Sequence, residues 1–171
     1  MAKQFTDHVK ERFPDVNFYA YLYDEPPAKV YTELAKITNA LHQAAPDLKI
    51  FIPKQVSKDI GYVQTWCVPM SPGYLHPNLQ KAELEAGRDI WYYNWVVRLD
   101  PYDYIRGRLY TWQIYSADGN GGLLWNTVFN PKGINPWNDF EKTHSCGGAT
   151  IFYPPLKEGE EMIPSLRAAQ V

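Results

Sequence analysis

Apolar residues in this chain follow two spacings that predict two kinds of element. In 27–44 they recur at three- and four-residue intervals from Val30 to Leu41, which predicts an amphipathic helix that ends before Pro46. The same spacing predicts three further helices, one ending before Pro14, a short one over 79–86 and one starting near Pro101. Short apolar runs between them predict five strands, over 17–23, 48–52, 62–68, 89–97 and 123–129.

Strands that alternate with helices predict an α/β fold with a parallel sheet covered by helices. Neither a Gly-x-Gly-x-x-Gly sequence nor a P-loop follows any strand, which disfavours a nucleotide-binding doubly wound sheet. Candidate functional residues instead follow the strands, as at the active face of a (β/α)8 barrel, at Asp24, Pro53, Trp66, Asn94 and Asn126. A complete barrel has eight strands and takes about 250 residues. We therefore expect the C-terminal part of a TIM-type barrel, about strands 4 to 8, with parallel strands.

Composition and charge narrow the classes of partner. The chain has 17 basic and 19 acidic residues, a net charge of -2 and no run that approaches the length of a membrane helix. This balance predicts no nucleic-acid partner and no membrane partner. Cys67 and Cys146 are too few for a disulfide framework, and neither has metal-ligand spacing with a histidine. We expect no metal and no cofactor.

Two adjacent carboxylates, Asp24 and Glu25, follow the aromatic strand at 17–23 and precede two prolines. Paired acids beside aromatic residues are typical of glycoside hydrolysis, although acids at a helix N-terminus can also serve only the helix dipole. Consecutive strand residues point to opposite faces, so these two can share a site only if the backbone leaves strand geometry, which Pro26 favours. Neighbouring acids poorly span a sugar ring. They suit a mechanism in which the 2-acetamido oxygen of the substrate is the nucleophile.

Several short motifs follow one another in a characteristic order. They are Asp-Glu-Pro after the aromatic strand, Ala-Pro-Asp-Leu-Lys-Ile at 45–50, Trp-Tyr-Tyr at 91–93, Gly-Gly-Leu-Leu-Trp-Asn at 121–126, Asn-Pro-Trp at 135–137, and Tyr-Pro-Pro followed by Ile-Pro-Ser-Leu-Arg at 163–167. Together they resemble the catalytic domain of glycoside hydrolase family 123 and its uncharacterised relatives, over about 17–167.

The resemblance implies a barrel that cleaves β-linked N-acetylgalactosamine with help from the substrate's own acetamido group. Asp24 would then polarise and orient that group, and Glu25 would be the general acid/base. It implies a carbohydrate or glycoconjugate as partner, and a secreted or periplasmic location if the full-length protein follows the family.

The chain also departs from that family, because the first three strands of the barrel are absent. We expect a single partial (β/α)-barrel glycosidase-like domain over 1–171, with the N-terminal strands missing. Open strand edges would have to be covered by self-association or by another chain that supplies the missing half of the barrel.

Aromatic residues are abundant, with six Trp and thirteen Tyr, and they suggest sugar contacts. On the strand at 89–97, polar Asn94 suggests that its face lies toward the barrel mouth, which makes Tyr92 a candidate for sugar contact. Trp91 and Trp95, on the opposite face, are expected to pack beneath the outer helices. The other candidates for substrate binding are Trp125 as a platform under the sugar, Trp66, Asn126 and, at the rim, Trp137. Trp112 is expected in the core, and His144 as an ordinary loop residue.

Two other function classes stay open. A conventional retaining glycosidase needs a second carboxylate about 5 Å from the first, and the strand at 89–97 offers only Asn94 near its end. A noncatalytic carbohydrate-binding or structural domain, or an inactive fragment of such an enzyme, would keep the aromatic residues and tolerate loss of either acid.

Overall fold

Helices and strands alternate along most of the chain. The helices are α1 (Ala2–Arg12), α2 (Tyr31–Ala44), α3 (Pro77–Glu85) and α4 (Pro101–Ser116), with short 3-10 helices at Ala28–Val30, Lys58–Ile60 and Pro72–Tyr74. The strands are β1 (Tyr19–Tyr21), β2 (Lys49–Pro53), β3 (Thr65–Pro69), β4 (Asp89–Asn94), β5 (Gly121–Leu124), β6 (Phe152–Tyr153) and β7 (Ile163–Pro164).

The computed structural model describes residues 1–94, 101–124, 135, 137, 152–164 and 168, and for 101–108 the backbone alone. The chain divides into two compact units. The first comprises 1–92 and 118–121, and the second comprises 93–117 and 122–171.

Five strands form one sheet in the order β1-β2-β3-β4-β5. The pairs β1–β2 and β2–β3 are parallel, with Tyr21 opposite Phe51 and Phe51 opposite Thr65. A doubly wound sheet reverses its direction once, whereas strands in chain order are those of a barrel segment. The mixed α/β class and the sequential parallel sheet are confirmed and are compatible with a partial barrel. The assignment to barrel strands 4 to 8 stays a prediction.

Helix α2 follows the predicted spacing closely. Its backbone ends where Ala45 N-H donates to the Leu41 carbonyl, just before Pro46. On its inner face the Thr38 hydroxyl donates to the Ile60 carbonyl at 2.8 Å, which ties the helix to the segment before β3. Gly61, with φ of +82°, follows directly, and a Cβ there would lie 2.6 Å from the Thr38 hydroxyl oxygen. Glycine is therefore required by both the backbone conformation and the close approach.

One face of the sheet in the first unit is fully buried, and α3 is bonded to it through Glu83. This helix-covered face comprises Ile50 and Ile52 of β2, Trp66 and Val68 of β3, and Ile90 and Tyr92 of β4, all at most 2% exposed. The Trp66 indole N-H donates to the Glu83 carboxylate of α3 at 2.9 Å. Arg88 pairs with the same carboxylate, so Glu83 links the indole to a neighbouring guanidinium.

The opposite face of the same sheet carries a cluster of aromatic rings. This concave face comprises Tyr19 and Tyr21 of β1, Phe51 of β2 and Trp91 of β4, whose rings contact one another. The ring centroids of Tyr19 and Trp91 are only 5.5 Å apart. On a flat sheet, β1 and β4 would be separated by about 14 Å, three strand spacings. The contact therefore indicates that these four strands curl toward the aromatic side.

Trp91 packs directly over the backbone at the start of β5. A Cβ on Gly121 would lie 2.3 Å from the indole nitrogen of Trp91, so only glycine leaves room for the ring. Asn120, the residue before it, accepts a hydrogen bond from the Ile90 backbone N-H and donates to the Asp89 carboxylate, both at 2.9 Å. The side chain of Asn120 thus extends the strand pairing at the start of β4.

In the second unit, α4 packs through Tyr110 and Ile114, which are 6% and 9% exposed. The Tyr110 hydroxyl donates to the Leu123 carbonyl at 2.9 Å and accepts from the Leu123 N-H at 3.1 Å. Trp112 is 68% exposed, so the expectation that it belongs to the core is wrong. The buried pair is spaced i, i+4, and Trp112 lies between its members on another side of the helix.

Candidate active site

The two adjacent acids lie in a bend just beyond the carboxyl end of β1. The strand ends at Tyr21, and both Asp24 and Glu25 are exposed. Glu25 has a left-handed backbone with φ of +43°, and the following Pro26 is buried. The backbone therefore leaves strand geometry here, as predicted, which removes the constraint that would send consecutive side chains to opposite faces.

Asp24 has a specific partner that the sequence analysis missed. The Tyr21 hydroxyl donates a hydrogen bond to Asp24 Oδ1 at 2.8 Å. The Tyr21 ring stacks on Phe51 of the concave face, with centroids 5.5 Å apart and planes 26° apart. The only signal in the sequence was a tyrosine three residues before the acid, and that spacing has no fixed meaning across a strand end.

The electrostatics of the bend keep the phenol protonated. Partial burial of Tyr21 and its hydrogen bond to the negative Asp24 both raise the pKa of the phenol well above its usual value. Because the donor form persists through neutral and mildly alkaline pH, the hydroxyl continues to donate to the carboxylate in that range.

Cys67 lies on β3 opposite Pro53 and is fully buried. Burial raises the pKa of its thiol to about 12. The thiol is therefore neutral at physiological pH and is a poor nucleophile. It is a packing residue near the bend rather than a participant in covalent catalysis.

The aromatic residues of β4 have the opposite orientation to the one predicted. Tyr92 is 1% exposed and lies on the helix-covered face, whereas Trp91 contacts Tyr19 and Phe51 on the concave face. Trp66 is 2% exposed and bound to α3. The face assignment was wrong because a strand buried on both sides lacks the polar alternation that marks the solvent side. Neither Tyr92 nor Trp66 offers a surface on which a sugar could stack.

The remaining predicted contacts belong to the second unit. Asn94 ends β4 and is half-buried, on the same side of that strand as Tyr92. Trp137 is 40% exposed and stacks on Tyr153 with ring centroids 4.8 Å apart, and its backbone N-H donates to Asn135 Oδ1. The other residues named from the sequence lie outside the described residues, namely Trp95, Trp125, Asn126, His144 and Cys146.

Comparison with protein families decides the broad class. The family model for the glycoside hydrolase 123 catalytic domain matches residues 1–171, the whole chain. The chain belongs to glycoside hydrolase family 123. No match was found among curated proteins. Because it belongs to family 123, the chain is a glycoside hydrolase domain. Its class of substrate is carbohydrate.

A conventional retaining site needs a second acid across from the bend, and the described strand β4 has none near its carboxyl end. The only acid on β4 is Asp89, at the first position of the strand and therefore at the end opposite to the bend. There it accepts from Thr65 at 3.3 Å and from Asn120 at 2.9 Å, and it lies 3.9 Å from the Lys49 ammonium. These contacts give Asp89 a structural role.

In the part of the chain that the structure describes, no three His, Cys, Asp or Glu side chains lie close enough to hold a metal ion together. None of the helices in that part is long and apolar enough to cross a membrane.

Proposed function

We propose that this family 123 domain hydrolyses β-linked 2-acetamido sugars of the N-acetylgalactosamine type, with the substrate's own acetamido oxygen as nucleophile. The observation that carries the proposal is the bend beyond β1. It exposes two neighbouring carboxylates, Asp24 and Glu25, at the carboxyl end of a parallel strand, and a tyrosine already holds one of them. Active residues of barrels come from this end of the strands.

The chemistry divides between the two acids. Asp24 accepts a hydrogen bond from the acetamido N-H, which polarises the amide and directs its carbonyl oxygen to the anomeric carbon. That oxygen forms a bond to the anomeric carbon as the glycosidic bond breaks, and Glu25 gives its proton to the departing oxygen. Water then attacks the anomeric carbon of the cyclic intermediate as its bond to the acetamido oxygen breaks and the amide is restored, and Glu25 takes a proton from the water. Two inversions at one carbon retain its configuration, and the steps need no cofactor.

Adjacency of the acids favours this division over direct nucleophilic attack by a carboxylate. In a conventional retaining enzyme the two carboxyl groups approach the sugar from separate positions about 5 Å apart. Asp24 and Glu25 come from one bend, and Asp89 of β4 is engaged at the other end of its strand. A nucleophile carried by the substrate removes the need for an acid on the opposite side of the ring.

Within this proposal the sugar contacts are residues that the sequence suggested. Trp125 is the platform under the sugar, Asn94 and Asn126 are polar contacts, and Trp137 lies at the rim. An exposed ring such as that of Trp137 can stack on the C-H face of a sugar.

The substrate itself gives the decisive test. The protein should cleave a β-linked 2-acetamido-2-deoxygalactoside with retention, observed by NMR of the first-formed anomer, and should leave the matching 2-hydroxy galactoside uncleaved. Similar turnover of both sugars would show that the acetamido group does no chemistry and would overturn the mechanism.

Variants of the two acids separate their roles. Glu25→Gln should lower kcat by about 10²- to 10⁴-fold on substrates with poor leaving groups, and less on aryl glycosides, which need little protonation. Asp24→Asn should lower activity equally on both classes of substrate, because Asp24 acts on the acetamido nucleophile and not on the leaving group. Glu33→Gln, a surface acid of α2 paired with Lys36, is the control and should keep full activity. Equal sensitivity of Glu25→Gln to both leaving groups would argue against its role as the acid.

A further inference from the structure

The Tyr21 hydroxyl is fixed between the sheet and the proposed catalytic bend. Tyr21 is the last residue of β1, and its hydroxyl donates to Asp24 Oδ1 at 2.8 Å. Asp24 itself is exposed, so within an open bend its carboxylate would otherwise turn between rotamers. The hydrogen bond selects one orientation and occupies one of the two carboxylate oxygens.

Aromatic packing determines where that hydroxyl lies. The Tyr21 ring stacks on Phe51, and Phe51 meets the Trp91 ring edge-on with centroids 5.7 Å apart. Trp91 in turn lies against the backbone of Gly121. Because each ring is held by the next, the direction of the phenol is set by the concave face rather than by the bend.

We propose that Tyr21 is a positioning residue that holds Asp24 through Oδ1 and leaves Oδ2 to receive the acetamido N-H of the substrate. This inference rests on the proposed function of Asp24. It adds a residue outside the Asp-Glu pair and assigns separate tasks to the two carboxylate oxygens.

Geometry explains why such a residue matters for the rate. The acetamido oxygen must approach the anomeric carbon along one direction, and a misplacement of about 1 Å in a positioning group can cost about 10²-fold. A hydrogen bond to a charged group is among the stronger single contacts that can prevent this displacement. The raised pKa of the phenol means that the contact persists over the pH range of ordinary assays.

Tyr21→Phe removes the hydroxyl and keeps the ring that stacks on Phe51. It should lower kcat on the 2-acetamido substrate by about tenfold, the loss expected for one hydrogen bond to a charged group in an exposed setting, with KM little changed. Tyr19→Phe is the matched control. Tyr19 lies on the same strand and face and contacts the same Phe51, but in the described part of the chain its hydroxyl makes no hydrogen bond. Its activity should equal that of the parent.

A double-mutant cycle separates positioning from general damage to the fold. In an Asp24→Ala background, Tyr21→Phe should cause no further loss, because its partner has gone. Full kcat in Tyr21→Phe, or the same tenfold loss in both backgrounds, would overturn the proposal.

An NMR measurement that does not depend on catalysis separates the positioning role of Tyr21 from the substrate-assisted mechanism. The ¹³Cζ resonance of Tyr21 reports on the hydrogen bond of its hydroxyl, and it should shift in Asp24→Ala but not in Asp47→Ala, a surface carboxylate paired with Lys10. An unchanged resonance in Asp24→Ala overturns the positioning role whatever the enzyme cleaves. A shifted resonance in a protein that cleaves both sugars alike supports the contact between Tyr21 and Asp24 and overturns only the substrate-assisted mechanism.

Discussion

The helix-covered face and the concave face are opposite sides of one sheet, yet they are built from different side chains. The first has branched aliphatic residues such as Ile50 and Ile90, with Trp66 anchored to α3. The second has contacting rings and ends at the bend that carries Asp24. Fully buried, mostly aliphatic side chains suit a surface that only supports a helix. Aromatic rings that contact one another provide a rigid surface, and such a surface can fix the direction of a single hydroxyl.

Removal of one indole from each face should show this difference most strongly. Trp66→Ala should lower the free energy of unfolding by about 3–5 kcal/mol, because a fully buried ring leaves a cavity. Trp91→Ala should cost less, since Trp91 keeps part of its side chain exposed. Urea denaturation of the two variants measures both values. A larger loss for Trp91 would reverse our view of which face carries the stability.

A single methyl group can test how tightly the concave face is packed. Gly121→Ala would place a Cβ within 2.4 Å of three atoms of the Trp91 ring, and forced repacking of this kind costs about 1–3 kcal/mol. Gly73→Ala is the control, because nothing lies within 4 Å of its added Cβ. Denaturation and tryptophan fluorescence should both change in the first variant alone. If Gly121→Ala behaves like Gly73→Ala, the rings on this face are free to move.

The pH dependence of stability tests whether water reaches the Cys67 thiol in the middle of β3. Cys67 has its thiol pKa raised by burial from 9.0 to about 12. Between these values the unfolded chain loses a proton that the folded chain keeps, so stability should fall as pH rises, by at most about 1.4 kcal/mol per pH unit. Cys67→Ala should show a shallower fall in urea denaturation between pH 9 and 10.5. Parallel curves for the two proteins would indicate a thiol in contact with water.

Periodicity was a good guide where one side of an element was clearly polar. The helix predicted over 27–44 agrees with α2 at its C-terminal end, since Pro46 ends the helix for a local reason. The prediction failed where both sides were apolar. On β4 and on α4 the residues that turned out exposed and buried were of similar hydrophobicity, so only tertiary contacts could choose between them.

Only part of the candidate site could be predicted from the sequence. The pair Asp24 and Glu25 could be found because two acids before two prolines are unusual after an aromatic strand. Tyr21 could not be found, because its contact depends on where β1 ends, and the strand is shorter than the predicted 17–23. Strand β7 and its antiparallel pairing with β6 also escaped, since a two-residue strand has too little pattern to detect.

Because Glu25 has a left-handed backbone conformation, the residue that is best for stability at this position differs from the residue that the proposed activity needs. A non-glycine residue there holds a sterically unfavourable backbone that costs on the order of 1 kcal/mol, and glycine would hold the same bend without that cost. A variant selected only for heat resistance would therefore gain by exchanging the proposed acid for glycine. In engineering terms, the most thermostable version of this domain and its most active version would have different sequences, and a stability screen without an activity filter would select the wrong one.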